Sequence, residues 1–195
     1  MAIKGAFRPA RTSREPTFTI KPVIDGRVTS YYEWLAAGQY SAGGGRGAMH
    51  QSQTVVKEIF YGFDMDNLYF RVDFNESLKK ECEHKDIVFS FLIFNGDEFK
   101  LNVGCSAARP KPFLELYKKS ARGKWQKVED LTSFAVAEVI EIALPFEKIA
   151  ARRGEKIKFM LVMERDGHEL GKWPSGGFIT LEVPKLDYEA DMWCA

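Results

Sequence analysis

The sequence has no apolar run approaching the roughly 20 residues that a membrane-spanning helix needs. It has almost no net charge either. The 28 Lys and Arg stand against 27 Asp and Glu, so no global field draws the chain to nucleic acid or to an anionic membrane. Cysteine is scarce: Cys82, Cys105 and Cys194 are odd in number and widely separated. That pattern excludes a dense disulfide framework and a clustered metal site, and predicts free thiols in a reducing cytoplasm. The basic opening MAIKGAFRPARTSREP lacks the apolar centre of a secretory signal. No internal repeat is visible.

The usual signatures of catalysis are missing as well. His50, His84 and His168 have no partner at metal-ligand spacing. There is no G-x-S-x-G nucleophile motif. Asp64, Asp66 and Asn67 lack the downstream glycine and bidentate glutamate of a calcium loop, and predict a hairpin turn instead. The run Gly43–Gly45, Arg46 and Gly47 lacks the Gly-Lys-Ser/Thr ending of a phosphate loop. Glu138 and Glu141, read as one strand over AVAEVIEIAL, fall on opposite faces and cannot flank one glycosidic bond. The expectation is a chain with no catalytic residue, no metal and no cofactor.

What the chain does have is strand pattern and aromatic bulk. Hydrophobic residues make up 45% and aromatics 13%, with fifteen Phe, enough for a sizeable core. In LYFRVDF, Leu68, Phe70, Val72 and Phe74 alternate with Tyr69, Arg71 and Asp73, the period-2 signature of a half-buried strand. IVFSFLIF is apolar on both faces and suits a central strand. Asn95-Gly96-Asp97 then turns the chain into FKLNV. FLELYKK pairs with KWQKV around Ala121–Gly123, and KIKFMLVMER and GFITLEV complete the set. Pro145 opens a single helical turn. This predicts an all-β fold: a two-sheet antiparallel β-sandwich of jelly-roll type, with one or two short helices.

The organisation read from the sequence is a basic tail or linker over 1–16 and one sandwich domain over 17–195. Within it, residues 25–50 stand apart. Asp25-Gly26 is a turn, Ser30 and Glu33 form a capping box opening a helix over SYYEWLAAG, and Gly38 ends it before the glycine loop. Tyr31, Tyr32, Trp34, Leu35 and Tyr40 give this stretch more aromatic surface than a solvated connector keeps. On helical spacing, Tyr31 and Leu35 share a face while Tyr32 and Trp34 point elsewhere. We therefore read it as an arm that docks on a second surface, with Arg46 and His50 near that interface.

Sugars offer apolar C–H faces to aromatic rings and hydroxyls to polar side chains. Trp173, in the Gly- and Pro-rich loop GHELGKWPSGGF, is the first candidate for such a contact, and Trp125 is the second. Arg165, Glu164 and Glu169 are candidate hydroxyl partners. Trp125 lies in a basic hairpin, residues 109–127, with seven Lys/Arg against one Glu, which reads mainly as a solvated strand pair.

PVIDGRVTSYYEWLAAGQY, GRGAMHQS and EIFYGFDMDNLYFRVDF resemble the C-terminal region of bacterial glycoside hydrolase family 57 proteins, which act on α-glucans. The tail WPSGGFITLEVPKLDYEADMW resembles the end of those proteins, so the likeness runs from about Val23 to Trp193. The second half, EIALPFEKIAARRGEKIKFMLVMERDG, is similar to a wider pattern in family 9 carbohydrate-binding modules, DOMON domains and the glucodextranase C-terminal module. The resemblance implies a non-catalytic accessory domain, whose partners are a catalytic barrel and α-glucan. The barrel, with its catalytic Glu and Asp, is not in this sequence. A free-standing carbohydrate-binding module is the alternative. A haem-binding DOMON reading fails on its ligands, because Met49 and His50 are neighbours and cannot easily take opposite faces of one haem.

Overall fold

A computed structural model describes residues 14–42, 55–75, 86–106 and 109–188. Within them, twelve strands form two antiparallel sheets. Strands β1 (Gly38–Ser41), β2 (Val56–Phe63), β3 (Asn67–Phe74), β8 (Phe134–Val136) and β9 (Ile140–Pro145) make a five-stranded sheet in the order β1-β2-β3-β9-β8. The larger sheet holds β4 (Ile87–Phe94), β5 (Glu98–Ser106), β6 (Arg109–Lys119), β7 (Trp125–Asp130), β10 (Lys156–Arg165), β11 (His168–Trp173) and β12 (Ile179–Glu182). Its order is β11-β10-β4-β5-β6-β7, with β12 also pairing β10. Strands β4 to β7 run as an unbroken meander in one sheet, where a jelly roll would keep crossing between sheets.

Alternation builds the core. Leu68, Phe70 and Val72 face Phe89, Phe91, Leu101 and Phe159 across the sandwich, and all are fully buried. Phe70 stacks on Phe91 at 4.3 Å and meets Phe159 edge-on at 5.0 Å. The expected turns hold. Asp64 Oδ1 accepts the amides of Asp66 at 2.8 Å and Asn67 at 2.6 Å, closing the β2–β3 hairpin. Burial pushes the Asp64 carboxyl up, but hydrogen bonds from Tyr69, both amides and the Asn67 side chain outweigh it and hold the pKa below the ordinary value. Pro145 precedes a one-turn 3-10 helix over Phe146–Ile149.

Several expectations are corrected. AVAEVIEIAL is not one strand: it folds back on itself as β8 and β9, with Glu138 in the bend and only Glu141 on a strand. GHELGKW is not a loop but strand β11, because β10 is long enough to share one edge between β11 at Leu161–Arg165 and β12 at Lys156–Phe159. Within the stretch read as tail, Arg14 joins the edge of β1. Arg14 and Gln39 exchange backbone hydrogen bonds at 3.2 and 2.8 Å, and the Arg14 side chain donates to the Ala37 carbonyl at 3.0 Å. Cys105 is disulfide-bonded, so three free thiols are not what the chain holds, and the inference to a reducing cytoplasm loses its support. No helix among the described residues is long and apolar enough to cross a membrane.

Candidate functional site

The segment from Ile20 to Ala37 lies over the outer face of the five-stranded sheet, ahead of edge strand β1. Its Ile20, Trp34 and Ala37 form a second apolar cluster with Tyr69 and Ala143 of β3 and β9. The helix predicted over SYYEWLAAG is only one 3-10 turn, Tyr32–Trp34. Ser30 does not close a capping box. Its hydroxyl accepts the Tyr32 amide at 3.3 Å, and Gly38 opens β1 rather than ending a helix. A side chain at Gly38 would strike the Tyr61 ring 2.5 Å from its Cβ, so the strand can approach only without one.

One carboxylate latches this arm. Glu141, fully buried on β9, accepts the amides of Asp25 at 3.1 Å and Gly26 at 2.9 Å and the Trp34 indole N–H at 3.2 Å. Gly26, at φ +75°, returns its carbonyl to the amides of Glu138 and Val139, so the turn and the β8–β9 bend hold each other. Burial raises the Glu141 pKa, while the three donors and the Arg71 guanidinium oppose the shift. Arg71, paired opposite Glu141, is itself held in a two-bond fork by Asp73 at 2.7 and 2.8 Å and lies 4.9 Å from the Phe60 ring centre.

The latch decides which aromatics are free. Trp34 is 3% exposed, whereas Tyr31 and Tyr32 are 74% and 79% exposed and meet edge to face at 5.9 Å. Val23, Val28 and Leu35 of the same segment are exposed as well. The expected faces are thus corrected: Tyr31, Tyr32 and Leu35 look outward together, and Trp34 alone turns in. Tyr40 is turned toward its own domain, half-buried against the main core. Its hydroxyl meets the Ser175 amide, and burial raises its pKa against that bond. Arg46 and His50 lie outside the described residues.

The tryptophan candidates separate. Trp173 is 8% exposed and belongs to the main core, paired with Leu161 and folded over Gly171, so its ring is not presented to a ligand. Glu164 and Glu169 face each other across β10–β11, with Arg165 opposite His168. Trp125 is half-buried at the far edge of the same sheet, five strand spacings or roughly 24 Å away, so no one sugar spans both tryptophans. Around Trp125 the outer face is filled in. Lys100 and Lys119 place their ammonium groups 5.3 and 5.7 Å from its ring centre. Buried Glu115 accepts the Tyr117 hydroxyl at 2.8 Å and Lys127 at 3.1 Å, and Ser90 donates to Asn102 at 2.8 Å. Part of the basic hairpin's charge is paired as well, with Lys118 on Asp97 and Lys119 on Glu98 at 2.6 Å each.

Among the described residues, no group of three or more His, Cys, Asp and Glu could hold a metal ion. Glu141 was missed by sequence reasoning as a structural centre. Its one signal was a charge in an otherwise apolar run, IEIAL. The fold defines the chain as an all-β sandwich. No protein-family model matches it, and no curated protein matches it.

Proposed function

We propose that this sandwich is a non-catalytic accessory domain of a family 57-type α-glucan enzyme, which packs on the catalytic barrel through the arm and holds glucan beside it. The observation that carries this is the arm's two-sidedness. A buried carboxylate fixes its inner side, while Tyr31 and Tyr32 meet edge to face in solvent and Val23, Val28 and Leu35 of the same segment are exposed. A connector needs neither feature, and exposed apolar surface of this kind marks an interaction site. The resemblance of the same stretch to family 57 proteins makes a barrel the partner of choice.

The test is association with a separately produced family 57 barrel, followed by sedimentation. Complex formation is expected, and it should weaken by at least about tenfold in a Tyr31→Ser, Tyr32→Ser variant that keeps its melting temperature. The chain alone should release no reducing sugar from maltodextrin. An unaltered affinity in the double variant, or no complex at all, removes docking from the reading. The second reading, a free-standing carbohydrate-binding module, draws on the Tyr117 and Trp125 rings of the larger sheet. It requires retention of the lone chain in amylopectin gels, and loss of that retention in Trp125→Ala.

A further inference from the structure

A cleft of about 530 Å³ lies between β12, the end of β2 and the segment at Glu15. That volume is within the roughly 300–1,000 Å³ of small-ligand pockets. We propose that this cleft is a binding site for a neutral oligosaccharide; the choice of an α-glucan as that oligosaccharide rests on the function proposed above.

Three features carry the assignment. The first is a braced ring. Tyr188 lines the cleft and meets Phe63 edge to face at 5.2 Å, with an interplanar angle of 77°. Phe63 is buried in the core, so Tyr188 stands on a rigid support and offers a flat surface to a sugar's C–H face. The second is charge balance. Glu15 and Glu182 are matched by Lys156 and Lys185, so the field of the cleft favours neither an anion nor a cation. A sugar hydroxyl both donates and accepts, and here it meets carboxylate acceptors and ammonium donors together. The third is availability. Glu15 and Lys156 meet no side-chain hydrogen-bonding partner among the described residues. Lys185 reaches Glu182 only at 3.9 Å, with both exposed. On the outer face around Trp125, by contrast, lysines already cover the ring and Glu115, Ser90 and Asn102 bond to protein partners.

The experiment is a titration of the whole chain with maltotriose, followed by amide and indole NMR shifts. Shifts are expected at Lys156, Glu182, Lys185 and Tyr188, with the Trp125 indole N–H unmoved. Tyr188→Ala should weaken binding about tenfold, and Lys156→Ser severalfold. Tyr188 also packs on Phe63, so Lys156→Ser, on an exposed side chain, supplies the control that altered folding cannot confound. Shifts centred on Trp125, with affinity unchanged in both variants, overturn the cleft and leave glucan binding standing. No shift anywhere at saturating maltotriose overturns glucan binding and the cleft with it. Glucose 6-phosphate binding more tightly than maltotriose overturns the neutral assignment.

Discussion

The outer faces of the two sheets start from the same kind of sequence and finish differently. On β3, Tyr69 and Arg71 alternate with core residues just as Lys100 and Tyr117 do on β5 and β6. Yet Tyr69 is buried under the arm and Arg71 is buried between Asp73, the Phe60 ring and Glu141, while Lys100 and Tyr117 meet each other at the surface with the Lys100 ammonium 5.1 Å from the ring centre. The covered face is held by a desolvated carboxylate with fixed donors. Apart from buried Glu115 and Ser90, the open face is held by exchangeable lysine pairs. Deep polar contacts are costly to break and shallow ones are not, so the two faces should respond to mutation on different scales.

The largest effect is expected at the latch. Glu141→Ala leaves the Gly26 amide and the Trp34 indole without their acceptor, and should cost about 3 kcal/mol. Urea unfolding measures the loss, and Trp34 emission should shift to longer wavelength as the arm lifts. A loss below 1 kcal/mol, roughly that of a surface contact, would erase the contrast between the faces. Glu141→Gln keeps an acceptor oxygen and sharpens the same point through pH. Burial raises the folded-state pKa, so the contribution of Glu141 is full below its unfolded value near ~4.3 and is lost as pH rises through the folded value. The Gln variant should therefore gain on wild type as pH rises from 4 to 7. Parallel stability curves would count against a buried charge.

Next comes Asp64, between the extremes at the β2–β3 turn. Removing its carboxylate strips acceptors from two amides and Tyr69, and Asp64→Ala should cost about 1–2 kcal/mol. Its pKa is lowered in the fold, so this contribution is present above the unfolded value near ~3.9 and fades as pH falls through the folded value. The gap between wild type and Asp64→Ala should narrow in acid. The smallest effect belongs to the open face. Lys118→Ala removes an exposed pair with Asp97 and should stay within about 0.5 kcal/mol by urea unfolding.

The strands of the interior were legible because alternation reports burial directly, as in Leu68, Phe70 and Val72 or in Phe99, Leu101 and Val103. The turns at Asp64–Asn67 and Asn95–Asp97 were legible because their residues bond their own backbone or accept positive φ, as Gly96 does at +100°. The candidate sites were far less so. Trp173 looked exposed from its glycines and proline, but the unclaimed edge of β10 drew GHELGKW into a strand and turned the ring inward. The cleft at Tyr188 had no local signature, since its residues come from β2, β10, β12 and the segment at Glu15.

By itself, then, the sequence determined an all-β sandwich, its central strands and the turns that join them, because period and turn chemistry are local. Only the tertiary structure decided which polar residues would be covered. The arm's path over β3 and β9 made Glu141 a latch, buried Trp34 and left Tyr31 and Tyr32 in solvent. A strand's pattern distinguishes its two faces but does not say what will lie on either, and that depends on contacts between residues more than a hundred positions apart, such as Gly26 and Glu141.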